Sequence, residues 1–216
     1  MWKHTFGPHE KWPDRVITPQ QTHGKKIVEI ISGNEDLTAT DGVWTQHSDI
    51  HLGVLTADCA PICFWTPEKF GVIHVGWRGL VSGICEAMLD IFSQNFPENF
   101  SKLQANPKRL QNVSKTDFGD ASSNLKIFGG PLYPTFQIKK DFCFEKISEK
   151  FGASFFEFEK NGKIFFRFQD AIASVLPGVV FDPRSTNKTK YLASWRRNAT
   201  ADRNLTVVGH HEILIV

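Results

Sequence analysis

Three residues in the first eighty positions carry side chains that could bind a metal ion or act in covalent catalysis: His23, Cys59 and His74. Two imidazoles and one thiolate suffice for a zinc site that keeps one coordination position open. The same side chains could instead form a nucleophilic cysteine with histidine bases. Either chemistry requires the fold to bring together three residues that are distant in sequence.

The pattern around Cys59 and His74 predicts how two of these residues meet. Residues 52–56 are typical of a buried strand that ends at Ala57, Asp58 and Cys59. Residues 62–65 and 72–75 predict two further strands, separated by a turn at 66–69. Since this places Cys59 and His74 at one end of a strand–turn–strand unit, we expect them on neighbouring strands. His23 has to arrive from a separate loop.

The rest of the chain alternates strand and helix patterns, which favours one α/β (α+β) domain over residues 1–216. We expect a helix over 80–92, loops over 97–124, a helix over 139–151 and a short helix over 169–176. The Asn161-Gly162 pair predicts a hairpin of strands 155–158 and 164–168 with a type I′ turn. The remaining predicted strands are 27–31, 125–128, 179–181, 205–208 and 211–216.

Composition excludes several classes of protein. The 216 residues are 41% hydrophobic and 22% charged, with a net charge of +2, which is too mild to indicate nucleic-acid or membrane binding. No apolar run is long enough to span a bilayer and no signal peptide is visible, so we expect a cytoplasmic protein. Cys63, Cys85 and Cys143 are interpreted as buried apolar side chains, and the pair His210 and His211 as structural.

Arginines near these elements are candidates for binding an anion. Arg78 follows Gly76 and Trp77 where the helix begins, where a guanidinium beside free helix N–H groups suits phosphate or carboxylate. Arg196 and Arg197 lie in an arginine-rich stretch, 194–203, that could form a second anion-binding wall. The alternative for each is a structural ion pair or a solvated loop. Phosphate loops, dinucleotide fingerprints, nucleophile elbows and the zincin motif are absent from the sequence.

Taken together, the three signatures resemble the laccase-domain (YfiH-like) family, labelled multicopper polyphenol oxidoreductase and also purine nucleoside phosphorylase. Its patterns are Q-x-H-G, T-A-D-C-x-P and H-x-G-W-R-G, and a further S-Y-R-R block lies near the C-terminus. The matching residues are Gln21-Thr22-His23-Gly24, Thr56-Ala57-Asp58-Cys59-Ala60-Pro61, His74-Val75-Gly76-Trp77-Arg78-Gly79 and Ser194-Trp195-Arg196-Arg197. Thr40-Asp41-Gly42 falls where the family has an aspartate before the central strand.

The resemblance implies that His23, Cys59 and His74 are the metal-binding and catalytic residues, usually occupied by zinc. It implies a layered sandwich of mixed sheets with outer helices, similar to a toxin deamidase that uses a Cys–His pair. The implied activity is phosphorolysis of adenosine, inosine, guanosine and methylthioadenosine, with some adenosine deamination. The partners are therefore a small nucleoside and phosphate. Copper is the alternative metal, but the eight scattered histidines fit a multicopper oxidase poorly.

The sequence also departs from the family pattern. Only residues 1–19 precede the first signature, without the S-x-R-x-G-G-x-S and S-L-N-L motifs, so we expect a domain shortened at its N-terminus. Trp195 replaces the tyrosine of S-Y-R-R. Residues 128–138 match the family's I-G-P…Y-E-V block only in part. The donor residues are thus retained while their surroundings have changed.

Three hypotheses follow. In the first, a zinc-dependent nucleoside phosphorylase, Arg78 holds phosphate, and Asp58 orients His23 or His74 or transfers a proton. In the second, a cysteine hydrolase or amidase acting for example on peptidoglycan precursors, Cys59 is the nucleophile and His74 the base. In the third, a non-catalytic remnant binds metal and serves a partner. The sequence leaves the physiological substrate and the oligomeric state open.

Overall fold

The computed structural model describes residues 3–6, 15–93, 125–210 and 212–215. Its strands are β1 Lys3–Phe6, β2 Ile27–Glu29, β3 Gly42–Thr45, β4 Leu52–Thr56, β5 Ala60–Trp65, β6 Phe70–Val75, β7 Lys126–Gly129, β8 Phe136–Ile138, β9 Phe156–Phe158, β10 Ile164–Phe166, β11 Val180–Phe181, β12 Asn204–Val208 and β13 Glu212–Ile215. Its α-helices are α1 Trp77–Ser82, α2 Ile84–Ser93, α3 Phe142–Phe151, α4 Phe168–Val175 and α5 Trp195–Asn198. The loop predicted over 97–124, and His211, lie outside the described residues.

A six-stranded mixed sheet, in the order β11-β7-β5-β6-β3-β2, forms the centre of the fold. β5 and β6 are its antiparallel middle pair, while β2 pairs with β3 and β11 with β7 in parallel. A four-stranded sheet, β1-β13-β12-β4, and a three-stranded sheet, β8-β10-β9, complete the strands of the described residues. The predicted α/β architecture of mixed sheets with outer helices is confirmed.

The central sheet is buried on both faces, which explains the nearly continuous apolar runs of β5 and β6. Val43, Cys63 and Val72 face the four-stranded sheet, where they meet side chains such as Val54 and Val208. The opposite face packs against the helices and the three-stranded sheet through a larger core. Its members include Ile62, Phe64, Ile73, Leu80, Ile84, Met88, Phe136, Phe166 and Phe168.

The prediction of one continuous helix over 80–92 is wrong, because the structure has two helices, α1 and α2, in this part of the chain. α1 begins at Trp77, and Gly83 ends it with a φ of 90° while its N–H returns to the carbonyls of Gly79 and Leu80. Glycine adopts this left-handed conformation without the clash of a Cβ, so it is the usual residue at such a helix end. Starting the helix at Trp77 puts Arg78 in its first turn, as expected.

The predicted hairpin is present as β9 and β10, but its turn is not type I′. Type I′ needs positive φ at both central residues, whereas in this turn only Gly162 has one, 82°. The N–H of Gly162 donates to the carbonyl of Glu159, and Asn161 accepts from the N–H of Lys163. This pattern matches a type I turn followed by a left-handed glycine.

The prediction that the other three cysteines are buried is confirmed for two of them. Cys63 and Cys85 are buried, as expected, whereas Cys143 is only half-buried. His210 packs its ring against Trp65 and Phe70, which fits a structural role. Among the described residues, no helix has the length and apolar character needed to cross a membrane.

Candidate functional site

A cleft of about 680 Å³ opens where β4 and β5 meet the start of α1, and its size suits a small-molecule ligand. His23, Cys59 and His74 all line it. Their donor atoms, one from each side chain, lie within 4.8 Å of one another. The three residues singled out from the sequence therefore do meet.

Cys59 and His74 are brought together by antiparallel pairing, as predicted. Cys59 directly precedes β5, and in the β5–β6 register Pro61 lies opposite His74. His74 is buried, with 3% of its surface exposed, and Cys59 is half-buried. The half-buried thiol thus lines the cleft beside an imidazole fixed in the sheet.

His23 reaches the site on a loop that is anchored to β4. The side-chain amide of Gln21 donates to the carbonyl of Leu55 at 2.7 Å and accepts from its N–H at 2.8 Å. His23 itself has a φ of 64°, and its ring lies edge-on to that of His74 with the centroids 4.7 Å apart. Non-glycine residues seldom adopt positive φ, and such strain concentrates at functional sites.

Two glycines of the third signature make room for this loop. A Cβ on Gly76 would lie 2.7 Å from Cδ2 of His23 and 3.3 Å from the sulfur of Cys59. A Cβ on Gly79 would lie 2.8 Å from the carbonyl oxygen of Gly24. The glycine spacing in the signatures therefore reflects close packing between α1 and the donor loop.

Asp41, which we did not expect among the site residues, connects the donor loop to His74. Its carboxylate is fully buried and lies 2.8 Å from Nδ1 of His74. It also accepts the backbone N–H groups of Thr22, His23 and Gly24 at 2.7–3.1 Å. One side chain therefore holds two of the three donor residues in place. Its only signal in the sequence was its position before the central strand.

The electrostatics of the trio favour a charged thiolate–imidazolium pair. Burial alone would raise the pKa of Cys59, but hydrogen bonds with His23 and His74 outweigh it and lower the pKa to about 6. Burial alone would lower the pKa of His74, but Asp41 and then the Cys59 thiolate raise it to about 9. The same contact with His74 and the three N–H donors hold the pKa of Asp41 far below its usual value, despite burial.

This donor set fits a borderline metal ion. Thiolate sulfur and imidazole nitrogen are ligands that zinc and copper accept, and a three-residue set leaves a coordination position for substrate. Because Asp41 occupies Nδ1 of His74, Nε2 is the nitrogen left for the site. A carboxylate on the far nitrogen of a metal-binding histidine fixes the tautomer and raises the basicity of the ring.

Asp58 lies in the cleft wall, but its contacts differ from those expected. Its two carboxylate oxygens accept from the hydroxyl of Thr186 and from the backbone N–H of Arg196, each at 2.7 Å. The hydrogen bond to His74 that we expected of Asp58 is made by Asp41. A proton-transfer role for Asp58 stays a prediction. Its φ of 88° adds a second strained residue beside the donors.

Three arginines line the cleft. Arg78 is exposed at the start of α1, with its guanidinium over the ring of Trp77 at 4.9 Å. Arg196 is exposed on α5 and lies 3.9 Å above the ring of Phe136. Arg203 is a third lining residue, held by backbone carbonyls of 200–202. Stacking on an aromatic face leaves the edge of a guanidinium free to bind an anion.

The prediction that Arg197 binds phosphate is not supported by its contacts. Its guanidinium donates to four backbone carbonyls, which belong to Thr186, Thr189, Lys190 and Leu192. These donors are therefore committed to holding the loop before α5. Adjacent arginines on one short helix point in different directions, a difference that sequence order alone does not reveal.

Apolar side chains supply the remaining walls, which the sequence analysis largely missed. Trp77, Phe168 and Leu55 contribute apolar surface, and Trp195 projects into solvent with 59% of its surface exposed. A large exposed aromatic beside polar donors is a surface on which a planar ring can stack. Only the two tryptophans had a signal in the sequence, through the motifs that contain them.

Comparisons with known proteins agree with this picture. Residues 7–106 match the family model described as multi-copper polyphenol oxidoreductase laccase. A purine nucleoside phosphorylase of Aquifex aeolicus is 26% identical over 206 residues, which cover 90% of this chain and 82% of that protein. A purine nucleoside phosphorylase of Staphylococcus epidermidis is 36% identical over 93 residues, which cover 38% of this chain and only 34% of that protein.

The fold has a counterpart among solved structures. The crystal structure of Bacillus licheniformis hypothetical protein YfiH superposes with a TM-score of 0.69 and 21% identity, covering 90% of this chain and 73% of that one. Identity this low supports the fold alone. The matched family model, the relatives and the convergence of the three signatures at one cleft all agree with the resemblance to the laccase-domain family.

Proposed function

We propose that this protein is a metal-dependent purine nucleoside phosphorylase acting on adenosine, inosine, guanosine and methylthioadenosine. The observation that carries the proposal is the meeting of His23, Cys59 and His74 in a cleft that arginines and aromatic rings also line. Relatives named purine nucleoside phosphorylase support the substrate class. Adenosine deamination is a second reaction that we assign to the same site.

The residues divide the work of the reaction. His23, Cys59 and His74 would hold zinc, or copper as the alternative, and the bound metal supplies Lewis acidity at the reacting centre. Asp41 keeps Nε2 of His74 directed at the site through its contact with Nδ1.

The walls of the cleft position the two substrates. Arg78 and Arg196, which both line the cleft, present guanidinium groups to phosphate. Trp195 offers an exposed ring face on which a purine base can stack. Orienting both reactants in one cleft provides much of the acceleration available to a two-substrate reaction.

The first experiment is chromatography of inosine and adenosine incubated with the zinc-loaded protein, with and without phosphate. Free base should appear only with phosphate, and Cys59→Ala should abolish both the product and the bound zinc. Inosine formed from adenosine without phosphate would establish the deaminase activity. Cys63→Ala, at a buried core position, is a matched control that should keep activity and metal.

A cysteine hydrolase or amidase is the second candidate, favoured by the lowered pKa of Cys59 beside His74. In that reaction the thiolate attacks an amide carbonyl, and protonated His74 donates its proton to the leaving amine. Turnover of an amide by chelator-treated protein, with an acyl group trapped on Cys59, would favour this candidate over the phosphorylase. Metal binding without turnover on nucleosides or amides would instead favour a non-catalytic domain.

A further inference from the structure

Among the cleft residues, Asp58 makes contacts that differ most from the role we expected for it, which was to orient a histidine or to transfer a proton. It directly precedes Cys59, yet both of its carboxylate oxygens are turned toward the C-terminal part of the chain. Thr186 and Arg196 lie 128 and 138 positions further along. An ion-pair or proton-transfer role would leave at least one oxygen directed at the reacting groups.

We propose that Asp58 is a positioning residue that ties the strand end carrying Cys59 to α5, and thereby sets the place of the Arg196 guanidinium over the cleft. This inference rests on the proposed function, because phosphate is the anion that Arg196 would bind. It assigns Asp58 a role in phosphate affinity and not in metal retention or proton transfer.

The first support is the quality of the connection. Both oxygens accept short hydrogen bonds of 2.7 Å, and Asp58 and Thr186 are buried. Hydrogen bonds to an ionised acceptor are stronger than those between neutral groups, and removing one partner leaves a buried group unsatisfied. A connection of this kind holds its two ends in fixed relation.

The second support is that the connection reaches the backbone of the arginine itself. The N–H that Asp58 accepts belongs to Arg196, in the first turn of α5. The guanidinium of Arg196 then lies 3.9 Å from the ring of Phe136 in the cleft wall. Fixing the backbone at one end and the guanidinium at the other leaves this side chain little freedom.

The third support is the way the loop before α5 is braced. Thr186 donates its N–H to the carbonyl of Leu132 and its hydroxyl to Asp58, while its carbonyl accepts from Arg197. The carbonyl of Asp58 accepts from the N–H of Tyr133. Asp58 is thus the point at which the strand end, the 132–133 segment and α5 are joined.

The test uses the zinc-loaded full chain and the variants Asp58→Asn, Thr186→Val and Thr186→Ser. Asparagine keeps the shape of the side chain but only one oxygen acceptor, valine removes the hydroxyl of Thr186, and serine restores it. The measurements are zinc stoichiometry, calorimetric affinity for inorganic phosphate, KM for phosphate and kcat across pH, and hydrogen exchange of residues 195–198.

Asp58→Asn should weaken phosphate binding about tenfold and raise KM for phosphate equally, with kcat and its pH profile nearly unchanged. Thr186→Val should act in the same direction by a smaller factor, and Thr186→Ser should behave as the parent. Zinc content should stay the same in all three. Amide exchange across α5 should quicken in Asp58→Asn and Thr186→Val only.

Two results would overturn the inference. A loss of kcat of a hundredfold or more in Asp58→Asn, with one limb of its pH profile gone and Thr186→Val normal, would make Asp58 a proton-transfer residue. Unchanged exchange across α5 would show that the connection holds nothing in place. If the parent protein does not cleave nucleosides, the proposed function fails, while phosphate binding and exchange still decide the role of Asp58.

Discussion

Two buried aspartates, Asp41 and Asp58, each connect separate parts of the chain around the cleft. Their carboxylates accept hydrogen bonds from different groups. Asp41 takes an imidazole and three backbone N–H groups, all from the side that carries the donor residues. Asp58 takes a hydroxyl and one N–H, both from the side that carries Arg196. In the function that we propose, Asp41 therefore adjusts the reactivity of the donor residues, whereas Asp58 places the charge of Arg196 for substrate binding.

The largest effect is expected from Asp41→Ala, which attacks the donor side. It would leave His74 and three backbone N–H groups buried without their acceptor, so we expect a loss of about 3–5 kcal/mol in unfolding free energy and loss of stoichiometric zinc. Urea denaturation and metal analysis measure the two effects. Retention of zinc at the parent's affinity would contradict the division between the two aspartates.

The acid dependence of the same variant gives a check with a defined sign. The pKa of Asp41 is lowered in the folded protein, so its stabilisation is present above the ordinary carboxyl pKa of 3.8 and is lost as pH falls through the folded value. The gap in stability between parent and Asp41→Ala should therefore narrow below about pH 4. A gap of constant size down to pH 2 would mean that the charge of Asp41 contributes nothing.

The reactivity of the Cys59 thiol should depend on His23, His74 and Asp41, and not on Asp58. With a pKa of about 6, the thiol of chelator-treated protein should react with iodoacetamide at half its maximal rate near pH 6, and more slowly below that. His74→Asn should move this midpoint upward by one to two pH units, because it removes one hydrogen bond and one charge. Asp58→Asn should leave it in place.

Cys143 provides an internal reference in the same experiment. Burial and the neighbouring Asp141 raise its pKa to about 11, so its labelling should stay slow through neutral pH. Mass spectrometry of the two peptides separates the signals. Equal labelling of Cys59 and Cys143 at pH 7 would show that the trio does not activate its thiol.

Gly76→Ala tests whether close packing places His23. The added Cβ would lie 2.7 Å from the ring of His23, so the loop has to move and zinc affinity should fall about tenfold. Gly162→Ala is a control for a general loss of stability, because the added methyl group meets nothing within 4 Å and the positive φ of Gly162 strains the backbone of a different turn. That variant should lose about 1 kcal/mol of stability and no zinc affinity.

The smallest effects on activity and stability are expected from substitutions of Arg196 and Arg197, and they should distinguish the roles of these two neighbours. Arg197→Ala removes donors from four carbonyls, so we expect a loss of about 1–3 kcal/mol in stability with KM for phosphate nearly unchanged. Arg196→Ala should raise KM several-fold and change the melting temperature little, since its side chain is exposed. The reverse assignment of effects would make Arg197 the anion-binding residue.

The sequence predicted best what depends on local order. A strand, a turn and a returning strand place Cys59 beside His74 wherever such a unit forms, and β5 and β6 do so. The break at Gly83 was missed because apolar residues on both sides of it keep a helical spacing. The hairpin turn was misassigned because Asn161 tolerates positive φ without adopting it here.

What depends on long-range contacts was not predictable in the same way. Asp41 and His74 are separated by 33 positions, and only the folded sheet shows that their side chains meet. The two arginines of α5 have equivalent chemistry, and their roles diverge because one faces carbonyls and the other an aromatic ring. Residue type gave the candidates, while tertiary packing decided between them.

The amide of Gln21 has a consequence for the solubility of the protein. β4 is the last strand of its sheet. Along its outer edge, the N–H of Ile17 donates to the carbonyl of His51, and the carbonyl of Ile17 accepts from the N–H of Gly53. Further along, the side-chain amide of Gln21 pairs with the backbone of Leu55. An uncovered strand edge is a template on which another chain can add, as in aggregation. The loop that delivers His23 therefore also shields β4 from self-association, and loosening it would threaten colloidal stability as well as chemistry.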